Sequence, residues 1–160
     1  MSADIDVLVA DPRWRRRIPA AAREVRRAAR AALAAAGGPA RAEVAVLLAD
    51  DARLHALNRE FRRRDKPTNV LSFPDGGARP GGAVALGDVA LAFETCAAEA
   101  RAQRKTLRAH MVHLAVHGVL HLLGHDHLRA REAARMEALE REVLARLGIA
   151  DPYAGDGRAA

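Results

Sequence analysis

Hydrophobic and polar positions along the chain predict strands and helices in alternation. Two stretches of the first fifty residues predict strands, 5–11 (IDVLVAD) and 43–50 (EVAVLLAD), and the second is nearly continuous in apolar character. Between them, apolar residues recur every three to four positions after Pro19, which predicts an amphipathic helix that ends at Gly37. A short helix is expected after the second strand, and it must end before Pro67, because the residue before a proline avoids helical angles.

The second half of the chain continues the alternation and then becomes helical. We expect strands at 69–74 and 86–93, joined by a flexible glycine-rich loop at 75–83 (DGGARPGGA). Three helices are expected at about 94–104, 107–123 and 129–147, and the last has an apolar stripe of Met136, Leu139, Val143 and Leu147. The sequence therefore predicts one α/β (α+β) domain at residues 1–151, with a small mixed sheet covered by helices, and a disordered tail at 152–160.

Composition limits the compartment and the partners. The single cysteine, Cys96, cannot form an internal disulfide and is expected to be a small buried residue. No segment resembles a secretion signal or reaches the roughly 18 apolar residues of a membrane span, so we expect a cytoplasmic protein without a membrane partner. The net charge of +6 favours an acidic partner, nucleic acid first, although 24 of the 26 basic residues are arginine and such a bias also arises from genome composition. The helix predicted between Pro19 and Gly37 carries four arginines on its polar side, which form either a solvated face or an RNA-binding surface: Arg23, Arg26, Arg27 and Arg30.

The densest candidate chemistry is HGVLHLLGHDH, which begins at His117 and spaces three histidines as H-x-x-x-H-x-x-G-x-x-H. In a helix, His117 and His121 lie on one face and can bind one metal ion. Gly124 can end the helix in a left-handed conformation and bring His127 back toward that pair. Three nitrogens and an open fourth position are typical of catalytic zinc, although imidazoles also suit nickel, copper and iron. A single histidine on an apolar helix is more often a packed core residue, but five of the seven histidines fall within residues 113–127, which favours a metal site.

The residue after the first histidine limits the reaction. Zinc proteases with this spacing carry there the glutamate that serves as general base, whereas this chain has Gly118. A peptidase is therefore disfavoured.

His110 and His113 lie on much the same helical face and are expected to support or pack beside the ligands. Asp126 either orients a ligand or caps the turn.

Three motifs together resemble one family. HMVHLAVHGVLHLLGHDH, LNREFRRRDKPTNVLSFP and LGDVAL are similar to the YbeY family of bacterial rRNA maturation factors, reported as single-strand-specific metal-dependent endoribonucleases. The likeness covers nearly the whole chain, down to the DPY near its end. It implies one zinc ion per chain, held by His117, His121 and His127, and a functionally important Arg62. His125 stands where the family usually has tyrosine, which leaves open whether His125 or His127 completes the site.

The resemblance implies a function in 16S rRNA 3′-end maturation and ribosome quality control, with rRNA and ribosomal subunits as partners, together with ribosomal proteins or assembly GTPases. A metal ion and an arginine suit phosphodiester cleavage, because both neutralise charge on the nonbridging oxygens. Arg62 would bind phosphate through its planar fork, with Lys66 as a lesser point charge; without the resemblance, a surface salt bridge is the simpler role for Arg62. The attacking group and the base stay open, with candidate bases at Asp65, Asp88 and Asp126. The alternatives are a noncatalytic assembly factor with a structural metal, or a metal-dependent hydrolase of another substrate such as a peptide or a lactam.

Overall fold

The computed structural model describes residues 3–62, 68–125 and 129–154, excepting the side chains of residues 61, 62, 76 and 80. Its strands are β1 (Asp4–Val9), β2 (Ala42–Ala49), β3 (Val70–Ala78) and β4 (Val84–Ala92). Its helices are α1 (Pro12–Arg17), α2 (Ala21–Ala35), α3 (Asp51–Arg62), α4 (Phe93–Ala102), α5 (Leu107–Leu122) and α6 (Ala130–Arg146). None of the helices in these ranges is long and apolar enough to cross a membrane.

The four strands of the described residues form one mixed sheet in the order β1-β2-β4-β3. β1, β2 and β4 run parallel to one another, and β3 runs antiparallel to β4 at the edge. The small mixed sheet expected from the sequence is therefore confirmed. Parallel strands need long crossovers, which is why α1 and α2 separate β1 from β2.

Helices pack against both faces of the sheet, although Leu8 of β1 stays exposed on the face that carries α3. Successive strand residues point to opposite faces, so Val46 and Leu48 of β2 join the main core, while Ala49 joins a smaller cluster with Leu54 of α3. The main core lies between the sheet and helices α2, α5 and α6. Helix α5 packs against the sheet, against α2 and against α6. Helix α5 is consequently enclosed on most sides, with His117 and His121 only partly buried.

Helix α1 is absent from the sequence prediction, which extended the first strand to Asp11. In the structure Asp11 is the N-cap: its carboxylate accepts a hydrogen bond from the backbone N–H of Arg13 at 2.9 Å, and Pro12 occupies the first helical turn. Trp14 is fully buried and donates its indole N–H to the carbonyl of Ala49 at 2.9 Å. The short PRWRRR segment has too few apolar residues to show a helical period, so its packing depends on this one tryptophan.

The structure also corrects the predicted flexible loop at residues 75–83. β3 continues through Ala78, and its last two residues pair with the start of β4. The register shifts between Pro74 and Gly77. Proline lacks a backbone N–H donor and glycine weakens a strand, so the proline and glycines of this stretch predicted a loop where the structure has an irregular edge strand.

Candidate metal centre

Helix α5 presents His117 and His121 side by side. The helix starts at Thr106, whose hydroxyl accepts a hydrogen bond from the backbone N–H of Ala109 at 3.0 Å. The imidazole centroids of His117 and His121 lie 5.3 Å apart, as the i, i+4 spacing predicts. Both side chains are partly buried, so one edge of the pair stays accessible.

Gly124 ends the helix as the sequence predicts. Its φ of 95° is left-handed, its N–H donates to the carbonyl of His121 at 3.0 Å, and the N–H of His125 donates to the carbonyl of Leu120 at 3.1 Å. These two bonds define a Schellman motif, which reverses the chain after α5. His127 and Asp126 lie outside the described residues, and among residues 3–62, 68–125 and 129–154 no three histidine, cysteine, aspartate or glutamate side chains converge as a metal site. The structure thus describes two of the three expected ligands.

A buried carboxylate on α6, Glu140, supports this pair of histidines and went unnoticed in the sequence. It is 1% exposed, and its Oε2 lies 2.8 Å from Nδ1 of His117. Its Oε1 lies 2.7 Å from Nε2 of His113 and also accepts a hydrogen bond from the hydroxyl of Tyr153. The sequence assigns Tyr153 to a terminal tail, yet its ring packs edge-on against His113 with centroids 5.6 Å apart. Glu140 therefore connects α5, α6 and the chain after α6.

The hydrogen bonds of Glu140 determine its charge and the tautomers of its partners. Burial alone would raise the pKa of Glu140, but the hydrogen bonds from His113 and His117 outweigh it and lower the pKa to about 2. Glu140 is therefore an anion at neutral pH and can only accept hydrogen bonds. The facing nitrogens, Nε2 of His113 and Nδ1 of His117, must carry the hydrogens. Nε2 of His117 is then the nitrogen suited to bind a metal, which is the donor chemistry that the proposed zinc site requires.

His110 lies one turn before His113 and is held by a second carboxylate. Its Nε2 is 2.8 Å from Glu99 Oε1, which also accepts from the side-chain amide of Asn69 at 2.9 Å. Burial lowers the pKa of His110 despite this contact with Glu99. A cavity of about 640 Å³ opens beside these residues and reaches His113 and Tyr153. His110 and His113 were expected to support the ligands or pack beside them. In the structure each contacts a carboxylate, His110 that of Glu99 and His113 that of Glu140.

Gly118 shows why this helix carries no glutamate after its first histidine. A Cβ at residue 118 would lie 2.6 Å from Cγ1 of Val89 in β4, well inside van der Waals contact. The carbonyl of Gly118 also accepts a hydrogen bond from the hydroxyl of Ser72 at 3.3 Å. Helix α5 therefore lies directly against the sheet at this residue, where no side chain fits.

The remaining sequence candidates are divided between described and undescribed parts of the chain. The side chain of Arg62, at the end of α3, and the whole of Asp65 and Lys66 lie outside the described residues. Asp88 is exposed, and it points away from α5 because its neighbour Val89 faces Gly118. Cys96 is fully buried, and burial raises the pKa of its thiol, as expected for a packing residue.

Comparison with known proteins identifies the family. A family model described as endoribonuclease YbeY matches residues 10–148. The chain belongs to the endoribonuclease YbeY family. It is 51% identical over 159 residues to endoribonuclease YbeY of Paramagnetospirillum magneticum, covering 96% of this chain and 97% of the relative. The corresponding protein of Azorhizobium caulinodans is 54% identical over 155 residues, with 94% and 96% covered.

The fold of this YbeY family member also resembles a solved structure. The solution structure of a Thermotoga maritima protein matches with a TM-score of 0.55 and 19% identity, covering 90% of this chain and 91% of that protein. At this identity the likeness concerns the fold alone. The family resemblance inferred from the three motifs is confirmed.

Proposed function

We propose that this protein is a zinc-dependent endoribonuclease that cleaves single-stranded RNA during ribosomal RNA maturation, including the 3′ end of 16S rRNA, and in ribosome quality control. The observation that supports the metal site is the orientation of His117. Its Nδ1 lies 2.8 Å from Glu140, so Nε2 would be the nitrogen that faces a metal, and the ring of His121 lies 5.3 Å away. Membership in a family whose relatives are named endoribonucleases supplies the reaction class. His127 is the proposed third ligand, and one zinc ion per chain is expected.

The proposed roles of the residues follow from charge. Zinc, when bound, supplies a Lewis acid that acidifies water and neutralises phosphate charge. His117, His121 and His127 would hold it through neutral imidazoles. Arg62 would stabilise the phosphate charge that develops during cleavage through two parallel N–H donors, and Lys66 would add a point charge.

Two features favour RNA over a peptide as the substrate: the positive net charge of the chain, and the lack of room for a carboxylate side chain at residue 118. The net charge of +6 suits a polyanion such as ribosomal RNA, and a cytoplasmic location follows from that substrate. Ribosomal subunits, their proteins and assembly GTPases are the proposed partners. A zinc peptidase needs a carboxylate base after its first histidine, and the contact of Gly118 with Val89 leaves no room for one.

The proposal is tested by metal content and RNA cleavage on the same preparations. We expect the parent to hold about one zinc ion per chain, and the His117→Ala, His121→Ala double variant to lose both zinc and cleavage, because one remaining imidazole binds a divalent ion far more weakly than three. A single-stranded oligonucleotide from rRNA and its duplex serve as substrates, and only the single strand should be cut.

His125→Tyr is the matched control for the choice of third ligand. It should keep its zinc, because His127 rather than His125 is proposed to complete the site. Loss of zinc in this variant would transfer the third position to His125. A double variant that keeps full zinc and parental cleavage would remove the proposed centre altogether.

A further inference from the structure

The position of Glu140 is unusual for a residue that only packs. The inward face of α6 is otherwise apolar near it, with Met136, Val143 and Leu144 buried on the same side. Transferring an ionised carboxylate into such a setting costs several kcal/mol, and an apolar side chain of similar size fills the same space without that cost. A buried carboxylate at this position therefore calls for a role that an apolar residue cannot perform.

The two oxygens of Glu140 contact two imidazoles through different nitrogens. Oε1 lies 2.7 Å from Nε2 of His113, and Oε2 lies 2.8 Å from Nδ1 of His117. His113 is thus fixed with its Nδ1 inward, where that atom is buried and has no hydrogen-bond partner among the described residues. His117 has the opposite arrangement, with Nδ1 toward Glu140, and its ring centroid lies 5.3 Å from that of His121.

The contacts of Glu140 with its other partners keep the carboxylate in one orientation. The hydroxyl of Tyr153 donates to Oε1, the same oxygen that His113 contacts. Oε2 is thereby left to His117, and rotation of the carboxylate would break three hydrogen bonds together. The carboxylate is consequently anchored on the side away from the candidate metal ligand.

We propose that Glu140 is a positioning residue of the metal centre: it holds His117 in the Nδ1–H tautomer, directs Nε2 to the metal, and adds one buried negative charge beside a divalent cation. This inference rests on the proposed zinc site. Carboxylates that accept from the second nitrogen of a ligating histidine fix its ring and make it a better ligand. The competing role, a structural link between α5 and α6, uses the same hydrogen bond but predicts no change in zinc affinity when the carboxylate is replaced.

The first test uses the unmodified protein without metal. Long-range ¹H–¹⁵N correlation spectra at neutral pH report which ring nitrogen of each histidine carries the hydrogen. We expect the Nδ1–H tautomer for His117 and the Nε2–H tautomer for His113. Observation of the Nε2–H tautomer at His117 would overturn the proposal, and this result does not depend on whether any variant folds.

The second test compares zinc affinity in Glu140→Gln and Glu142→Gln by competition with a chelator. A glutamine oxygen can accept from only one of the two imidazoles, and its NH₂ group would oppose the other N–H. We expect the zinc dissociation constant of Glu140→Gln to rise about 10- to 100-fold. Glu142 lies on the same helix, is exposed and pairs only with Arg146 among the described residues, so Glu142→Gln should bind zinc as the parent does.

The two proposals fail in different ways. A parent protein that binds no zinc would remove the proposed centre itself. A parent that binds zinc, together with a Glu140→Gln variant of equal zinc affinity and parental tautomer at His117, would leave the centre intact and reduce Glu140 to a structural link.

Discussion

The imidazole of His117 is oriented by its Nδ1, which lies 2.8 Å from Oε2 of Glu140. Residue 118 is a glycine because a Cβ there would lie 2.6 Å from Cγ1 of Val89. The first feature suits the proposed metal ligand, and the second leaves no room for the base of a zinc peptidase. Together they favour a reaction that needs a metal and positive charge more than a carboxylate base.

Arg62 is the proposed source of that positive charge. Arg62→Ala should keep its fold and its zinc yet lose RNA cleavage by about 10²- to 10³-fold, the size expected for removing one contact to transition-state charge. Arg62→Lys should recover part of the rate, because an ammonium lacks the two parallel donors that match phosphate oxygens. Cleavage rate, zinc content and thermal midpoint are measured on each variant.

Arg59→Ala is the control for Arg62, because Arg59 is exposed on the same helix, α3. It should cleave RNA at the parental rate. If Arg62→Ala also cleaves normally and changes stability by at most about 1 kcal/mol, Arg62 is a surface ion pair and the metal lacks its proposed partner.

At the scale of the elements, α5 determines the site because it is tightly held. Its first turn is capped by Thr106, its end is set by the left-handed Gly124, and twelve of its sixteen residues are buried. The spacing of His117, His121 and Gly124 was readable from the sequence because helix periodicity and helix ends are local properties. α1 and the end of β3 were not, because a single buried tryptophan and an irregular strand pairing leave no periodic signal.

The contact of α5 with the sheet at Gly118 can be tested by substitution. On an exposed helix, Gly→Ala stabilises by about 1 kcal/mol. Here the new Cβ meets the fully buried Val89, so Gly118→Ala should instead destabilise the protein by about 1–3 kcal/mol. The free energy of unfolding in urea measures the change.

A double-mutant cycle isolates this contact. Val89→Ala removes both γ-carbons that the new Cβ would meet, so the double variant should lose less stability than the sum of the two single variants. A Gly118→Ala protein that is more stable than the parent would show that α5 has more space against β4 than the structure indicates.

At the scale of the whole molecule, the site depends on elements that are distant in sequence. Glu140 was expected only as part of a helix with an apolar stripe, although its spacing from Met136 and Val143 places it on that apolar face and could have marked it as a buried carboxylate. Its role emerges when α6 packs against α5, which brings it to His113 and His117, 27 and 23 residues earlier. The pairing of His117 and His121 on one helical face could therefore be predicted from the sequence, whereas the contact of Glu140 with His117 required the tertiary structure.

RNA cleavage is proposed to depend on a metal held by His117, His121 and His127, and single-turnover cleavage of a short single-stranded rRNA fragment tests this dependence most directly. The parent protein is assayed as purified, after treatment with a chelator, and after zinc is restored, and the ends of the products are identified. We predict cleavage that the chelator abolishes and zinc restores in the parent, and no restoration in the His117→Ala, His121→Ala variant. Cleavage that continues unchanged in the metal-free parent would contradict the account.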